Sequence, residues 1–332
     1  MIYPTLFSLL YLFTSHYNLN PVELQDLIHS GLEFAYVEEF DSAQTYFDTI
    51  IAIYPDNPAG YFLTATLLQF KMMDECHNAY EDEYLSFMKK AIRYAQEILE
   101  EEENIWAEFY LGNSYINRAF YEGFKGNYFE AFKQSIKAGR ILRNIIAKDS
   151  TFYDAYFGIG TSEYFWARVT RYIPFLRLAE GKVSEAIRKL HIAAEMSIYS
   201  GPMSKNILAS IYGEEGEFGK ADSIIDRLLM DYSDSRVFLW NKVQLEFKQK
   251  NYAHSADLYN RLFAMYDNYN NKNYANLAYC KLYVGKCFYA LGEKDKAKQA
   301  LKEVIAYKQH AAKYPQIKDY CREAYGLLSR ML

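Results

Sequence analysis

Two short stretches combine residue types that could ligate a metal ion. In "HIAAE", His191 and Glu195 stand four residues apart, so a helix would present both on one face. The stretch "CHNAYEDE" at 76–83 brings a cysteine and a histidine close to several carboxylates. The first has no third ligand nearby, and the second lacks the alternating oxygen ligands and glycine turn of a calcium loop. We therefore predict packing or surface roles for both stretches, and no metal.

The other familiar motifs of catalysis and cofactor binding are missing from the sequence. "GIG" at 158–160 is a fragment of a dinucleotide fingerprint, without the third glycine or a preceding strand. The chain contains no G-x-S-x-G, H-E-x-x-H, paired C-x-x-C or glycine-rich phosphate loop. Its 4 cysteines are too few and too widely spaced for a disulfide scaffold, so we expect buried thiols. The sequence thus predicts a protein that is not an enzyme and needs no cofactor.

The bulk composition indicates a folded, helical chain. Of 332 residues, 51% are hydrophobic and 24% are charged, which is typical of globular proteins and not of disordered ones. Only 16 glycines and 7 prolines argue against many tight hairpins and favour helices. The formal net charge of −5 offers no basic footprint for nucleic acid. We therefore expect a helical protein with protein or peptide partners and no nucleic acid.

The N-terminal residues 1–20 are open to two interpretations. "TLFSLLYLF" at 5–13 has the length of a signal-peptide core, but no Lys or Arg precedes it and no clean cleavage site follows. It is too short to span a membrane, which takes about 20 apolar residues. A signal peptide, slightly favoured, predicts a periplasmic or secreted protein; a capping helix predicts a cytoplasmic one.

One six-residue pattern returns along the chain and indicates a repeat. "GEFGKA" at 216–221 is followed by "GEKDKA" at 292–297 and preceded by "GNYFEA" at 126–131 and "GKVSEA" at 181–186. "EEFDSA" at 38–43 keeps the pattern without the glycine. Spacings of 34 residues or more between the small final residues are typical of helical pairs with local insertions. These marker residues are Ala43, Ala91, Ala131, Ala186, Ala221, Ser255 and Ala297.

Elementary packing explains why such a pattern recurs. The glycine allows the left-handed backbone that ends one helix and turns into the next. The small marker residue allows two helices to approach closely, and a larger side chain there would overpack at a cost of about 1–3 kcal/mol. Small residues in the first helix, twelve positions before the marker at Gly31 and Gly285 and farther from it at Gly160, would allow the same approach from the other helix. The pattern therefore predicts stacked helical pairs.

These pairs resemble the tetratricopeptide repeat, a 34-residue helical pair. The clearest copy is 202–235, and 22–57 and 278–308 follow the same signature. The resemblance implies an all-α, right-handed helical-repeat solenoid over 21–310, with about seven pairs and a C-terminal capping helix at 311–332. Insertions near 71–84, 116–125 and 164–180 depart from the pattern, and they are similar to those of inclusion-body clearance proteins of this type. In the clearest copy the signature residues are Leu208, Ala209, Tyr212, Gly216, Phe218, Ala221, Ile225 and Leu228.

The resemblance also implies a binding surface. In tetratricopeptide arrays the first helices line a concave groove, and their free side chains point into it. Amides, hydroxyls and aromatic rings there suit the backbone of an extended peptide, whereas the paired cations that hold C-terminal carboxylates are missing. The leading prediction is a non-enzymatic scaffold for a protein or peptide partner. The register gives Asn113, Asn117, Thr161, Tyr164, Asn206, Ser210, Trp240, Asn241, Gln244 and Lys286 as partner-binding residues.

The insertion at 164–180 carries a second group of candidates. Arg168 and Arg171 share a helix face among aromatic residues, a composition favoured at interface anchors. The competing interpretation is that this segment pads the solenoid. As an alternative function, the insertion could close an aromatic-lined cavity, which would make the protein a carrier of a lipid or small molecule.

Overall fold

The chain folds into antiparallel α-helices. A computed structural model describes residues 18–170, 180–269 and 272–331, without the side chains of 169–170 and 180–182, and these residues contain no β-strand. The predicted all-α repeat architecture is confirmed. The helices are α1 (Val22–Tyr36), α2 (Phe40–Ile53), α3 (Pro58–Glu75), α4 (Glu81–Glu101), α5 (Ile105–Phe124), α6 (Tyr128–Lys148), α7 (Asp154–Thr170), α8 (Glu180–Met196), α9 (Gly201–Glu215), α10 (Phe218–Asp231), α11 (Arg236–Lys248), α12 (Tyr252–Asn268), α13 (Tyr274–Ala290), α14 (Lys294–Ala306) and α15 (Ile317–Ser329).

The helices follow one another as pairs, from α1–α2 to α13–α14, and α15 comes last. Contacts that skip one helix join α3 to α5, α5 to α7, α9 to α11 and α13 to α15. These are all odd-numbered helices, so the first helix of each pair lies on the inner side of the curved stack. α15 contacts α13 in the way that the first helix of an additional pair would. It therefore covers the apolar face at the end of the stack.

The marker residues lie where two helices approach most closely. All seven markers are buried. A Cβ atom added at Gly31 would lie 2.4 Å from the ring of Phe47, and one at Gly285 would lie 2.8 Å from Leu301. A larger side chain at either glycine would force the helices apart, at a cost of about 1–3 kcal/mol. The spacing of small residues therefore sets the spacing of the helices.

The turn between the two helices of a pair uses a left-handed residue. Gly126, Gly216 and Gly292 have φ angles of 82°, 80° and 78°. Where the repeat lacks the glycine, Glu38 and Lys250 take the same conformation, with φ of 54° and 65°. Gly181 departs from the prediction, because the described chain resumes at Glu180 within α8, so the glycine lies in a helix and not in the turn before it.

The insertions lengthen particular helices. α5 and α6 contain 20 and 21 residues, whereas α9 and α10 contain 15 and 14. The insertion at 71–84 forms the end of α3 and the start of α4. Most of the insertion at 164–180 lies outside the described residues, which stop at 170 and resume at 180. The same is true of 1–17, which contain the predicted signal peptide or cap.

Two further expectations concern the cysteines and the membrane. Cys280, Cys287 and Cys321 are buried free thiols as expected, but Cys76 is only half-buried. Its Sγ donates to Oδ1 of Asn276, at 3.5 Å. Among the described residues, none of the helices combines the length and apolar character that crossing a membrane requires.

Candidate functional site

The solenoid closes on itself along a line of contacts that we call the seam. It brings the C-terminal ends of α1 and α3 against the N-terminal ends of α11 and α13, about 200 residues later in the chain. Tyr36 donates its hydroxyl to the carbonyl oxygen of Tyr199 at 2.6 Å, and Tyr232 donates to Glu33 at 2.9 Å. The ring of Tyr36 also packs edge-on against Tyr232. The first pair therefore contacts the fifth and sixth pairs.

Glu38 joins the end of α1 to the start of α11 across the seam. Its carboxylate accepts hydrogen bonds from the backbone N–H groups of Arg236 at 2.7 Å and Val237 at 2.9 Å. It therefore caps the N-terminus of α11, where a negative charge is favoured. Burial raises the pKa of Glu38 to about 7, against the lowering influence of Arg236 and of the two N–H groups.

Asp74, at the end of α3, accepts most of the remaining seam contacts. The Arg236 guanidinium donates to its carboxylate at 2.8 Å, and the Tyr266 hydroxyl donates to it at 2.6 Å. The side-chain amide of Asn273 donates to the Asp74 carbonyl oxygen at 2.6 Å. Ion pairs and hydrogen bonds of this kind fix one geometry, because their buried charges have few alternative partners.

The seam is a buried titratable cluster that sequence reasoning missed. The residues of this cluster, Glu38, Asp74 and Arg236, are distant in sequence. The one local signal for the seam was Glu38, a carboxylate at the turn position that other repeats fill with glycine. The arrangement joins two parts of the solenoid.

Three predicted site residues near the middle of the stack are buried between helices. Asn113 donates to the carbonyl of Phe109 in its own helix, and its side chain lies against Gly158 of α7. Asn117 donates to Oγ1 of Thr66 at 2.7 Å, which ties α5 to α3. Thr161 is buried as well. The prediction that these residues bind a partner stays a prediction, and they are less accessible than the register suggested.

The next candidates link α7 to α9. Arg168 forms ion pairs with Glu214 at 2.9 Å and with Glu215 at 3.5 Å. The hydroxyl of Tyr164, which is itself buried, lies 3.4 Å from the Glu214 carboxylate. Arg171 lies outside the described residues.

Candidates on α9 and α11 form an amide pair beside an aromatic ring. Asn241 donates its side-chain amide to the backbone carbonyl and the side-chain oxygen of Asn206, at 2.8 and 3.0 Å. The Trp240 indole N–H donates to the Tyr266 hydroxyl at 2.8 Å. Since Tyr266 donates in turn to Asp74, Trp240 connects this inner surface to the seam.

An accessible strip remains at the C-terminal halves of α9, α11 and α13. Gln244 is exposed, and the rest of the strip is half-buried. Tyr283 stacks on Tyr279 with ring centroids 4.5 Å apart. The Lys286 ammonium lies 4.2 Å from the Tyr283 ring centroid and 2.7 Å from Glu323 of α15. We call this surface the inner strip, and it consists of Ser210, Asn241, Gln244, Tyr283 and Lys286.

The two stretches with metal-ligating residue types make other contacts. His191 Nε2 lies 2.7 Å from the Tyr212 hydroxyl, which ties α8 to α9. His77 Nε2 lies 2.8 Å from the buried carboxylate of Glu75. Across the described ranges, no group of three or more His, Cys, Asp or Glu residues could hold a metal ion.

The carrier prediction depends on the insertion at 164–180, of which 171–179 lie outside the described residues. A cavity is present elsewhere, among α2, α3 and α4. Its volume is about 240 Å³, and Asp41, Asp48, Lys71 and Glu83 are among its lining residues. It is smaller than the pockets of roughly 300–1,000 Å³ that hold drug-sized ligands. The carrier function therefore stays a prediction without further support.

Comparisons with known proteins relate the chain to others through its fold. No protein-family model matches it, and no curated protein matches its sequence. Among solved structures, a chain of the APC/C heterotetramer Cut9–Hcn1 aligns with a TM-score of 0.53 and 15% identity, over 90% of this chain and 53% of that one. A signal transduction ATPase with a tetratricopeptide repeat sensor, from Pyrococcus horikoshii, aligns with a TM-score of 0.53 and 15% identity, over 95% and 50%.

A third structure matches along most of both chains. It is a Rap protein complexed with competence and sporulation factor, with a TM-score of 0.51 and 13% identity, over 93% of this chain and 87% of that one. The chain spans about half the length of the first two proteins. Together with the paired helices, their small contact residues and their left-handed turns, these likenesses show that the chain has the tetratricopeptide-repeat fold.

Proposed function

We propose that this protein is a non-enzymatic interaction scaffold that binds an extended peptide segment of a partner along the inner strip. The observation that carries the proposal is the placement of Tyr283 and Gln244. The ring of Tyr283 stacks on Tyr279 and contacts Phe247, with centroids 5.0 Å apart, so it forms a fixed apolar platform. Gln244 is exposed on the neighbouring first helix and supplies an amide for a peptide backbone.

The chemistry of the strip suits an extended peptide. Three neighbouring first helices, about 10 Å apart, span roughly 20 Å. Six extended residues cover the same length at about 3.3 Å each. The Ser210 hydroxyl and the Gln244 amide pair with backbone groups, while Tyr283 receives an apolar side chain. Lys286 is already paired with Glu323, so the strip does not select strongly for a carboxylate.

The tetratricopeptide-repeat fold supports the scaffold proposal by analogy. The Rap protein of similar fold was solved in complex with competence and sporulation factor. The seam adds a physical reason, because it fixes the curvature of the stack and so leaves the inner strip preorganised for binding.

A peptide-display selection on the purified full chain tests the proposal. Random peptides selected on the wild type are measured against Gln244→Ala/Lys286→Ala. We expect the double variant to weaken binding by about tenfold or more, since it removes an amide and a cation that rests on the aromatic platform.

The matched control is Lys302→Ala/Gln309→Ala, on α14 and just after it, where both residues are exposed. This control should bind the selected peptides as the wild type does. Peptides that bind the wild type and both variants equally would show that the inner strip is not the binding surface.

A further inference from the structure

The turn that joins α5 to α6 exposes a cluster of aromatic side chains, which we call the aromatic tip. Phe124, Tyr128 and Phe129 are 75%, 74% and 77% exposed. Further large apolar residues surround them, and the rings of Phe120 and Phe165 lie 5.3 Å apart. Contiguous exposed apolar surface usually marks a binding site. The aromatic tip consists of Phe120, Phe124, Tyr128, Phe129, Phe132, Ile136 and Phe165.

The most exposed rings of the tip lie at a turn between two helices. Phe124 ends α5, and Tyr128 and Phe129 begin α6, so these side chains are exposed at one end of the pair. Apolar rings in such a position can insert into a soft apolar layer.

A band of cations continues from the tip along the same helix. Residues 125–143 contain five Lys or Arg residues and a single carboxylate, Glu130, although the whole chain has a net charge of −5. Phe129, Ile136 and Arg140 follow one another at spacings of seven and four residues, so they share one face of α6. Lys137 and Arg140 are exposed, and neither has an ion-pair partner within 4.0 Å among the described residues.

We propose that the aromatic tip inserts into the interfacial region of an anionic lipid bilayer while the cations of α6 contact the headgroups. Apolar rings that enter the acyl boundary beside Lys and Arg residues are the pattern of proteins that lie on a membrane without spanning it. Each cation near an anionic surface strengthens binding, and several act together. The solenoid would thereby be held at a membrane with its inner strip still accessible.

Charge and composition favour a lipid surface over a second copy of the chain. Two copies facing each other through α6 would bring their cation bands together, which is repulsive. The chain has 33 Tyr and 22 Phe, yet the tip contains five Phe and one Tyr. Phe has no polar group that needs a partner inside a bilayer, and it is typical of the apolar face of segments that lie in the membrane interface. Carboxylates also occur at the start of α4. Glu81 forms an ion pair with Lys125, at 2.9 Å, whereas Asp82 and Glu83, which follow it in the sequence, are exposed.

Vesicle sedimentation with the full chain tests the proposal. The probes are phosphatidylcholine vesicles with and without phosphatidylserine, at low and high salt. We expect binding to the anionic vesicles, weakened by salt, and a blue shift of tryptophan fluorescence because Trp166 contacts Phe132, with ring centroids 5.0 Å apart. Phe124→Ser/Phe129→Ser should reduce the partition coefficient by about tenfold or more. Lys137→Gln/Arg140→Gln should reduce it by about fivefold for each cation removed.

The matched controls are Met230→Ser, which removes an equally exposed apolar side chain from α10, and Lys294→Gln/Lys302→Gln on α14. Both should bind vesicles as the wild type does. Failure of the wild type to bind any vesicle would overturn the proposal, as would equal binding by the tip variants. Concentration-dependent dimers that Phe124→Ser/Phe129→Ser abolishes, without vesicle binding, would assign the tip to a second copy of the chain instead.

Discussion

The seam and the aromatic tip differ in which groups they bury: the seam buries charged side chains, and the tip exposes apolar ones. At the seam, the charges of Glu38 and Arg236 are buried, that of Asp74 is half-buried, and all three are partnered. At the tip, the rings of Phe124 and Phe129 are 75% and 77% exposed to solvent. The first arrangement is explained by the fold itself, because it joins two parts of one molecule. The second is not, and our proposal explains it by a lipid surface outside the chain.

This contrast separates structural from functional surfaces in the molecule. A partnered buried cluster adds specificity to the fold, and changing it should reduce stability. An exposed apolar cluster adds little to stability, and changing it should affect only binding. The inner strip is intermediate, because Trp240, the neighbour of Asn241 in the chain, donates to the seam residue Tyr266, whereas Gln244 is exposed.

The largest effect is expected from Arg236→Ala. It would leave Glu38 and Asp74 buried without their cation, so the free energy of unfolding should fall by about 3–5 kcal/mol. Urea unfolding measures this loss, and small-angle scattering should show a larger radius of gyration if the seam opens. Arg322→Ala, at an exposed ion pair on α15, should change stability by less than about 0.5 kcal/mol. A loss below about 1 kcal/mol in Arg236→Ala would mean that the seam does not hold the two parts together.

A pH dependence of similar size is expected from Glu38. Its pKa in the folded chain, about 7, lies above the ordinary value of 4.5, so folding favours the protonated form. The stabilisation is then fully present below about pH 4.5 and is lost as the pH rises through 7, by about 3 kcal/mol in total. Because Gln does not ionise, the unfolding free energy of the wild type relative to that of Glu38→Gln should fall by about 3 kcal/mol as the pH rises from 4.5 to 8. Parallel curves would show that Glu38 is ionised throughout.

Tyr266→Phe should have a smaller effect. It removes the hydroxyl that donates to Asp74 at 2.6 Å and accepts from Trp240 at 2.8 Å. Hydrogen bonds to charged groups contribute about 1.5–3 kcal/mol, and we expect a loss in that range by urea unfolding. Tyr325→Phe, at a half-exposed position on α15, is the control and should leave stability unchanged. Equal results for the two variants would argue against a network that runs from the seam to the inner strip.

The smallest effect on stability is expected at the tip. Phe124→Ser/Phe129→Ser should change the free energy of unfolding by no more than about 0.5 kcal/mol, because both rings are already in water. Phe47→Ser, at a ring that packs on Gly31, should cost about 3 kcal/mol or more. A strongly destabilised tip variant would show that these rings are covered in the free chain, which would remove the contrast between tip and seam.

The sequence was sufficient to predict the repeat and its local geometry. Small residues at the marker positions, such as Ala221 and Ser255, reveal the repeat in the sequence, because close helix packing tolerates few other residue types there. Left-handed turns at Gly126, Gly216 and Gly292 followed from the same pattern. The turn assigned to Gly181 was wrong, since a glycine can lie within a helix as well as at the end of one.

The seam and the accessibility of the site residues could not be predicted. Glu38 and Arg236 meet because small rotations between successive pairs add up over five pairs, and the sequence of one pair does not specify that sum. For the same reason, a register argument placed Asn113 and Asn117 on the inner side but could not show that neighbouring helices bury them. Gln244, which lies nearer the end of its helix, remained exposed.

Site-specific photo-crosslinking in the cells that make the protein tests the central claim most directly. A photoreactive phenylalanine analogue replaces Gln244 on the inner strip or, as a control, Lys302 on α14, both of which are exposed. The scaffold proposal predicts a discrete protein adduct from position 244 that is missing from position 302. Identical adducts from the two positions, or none from position 244 while other surfaces crosslink, would contradict a partner-binding inner strip.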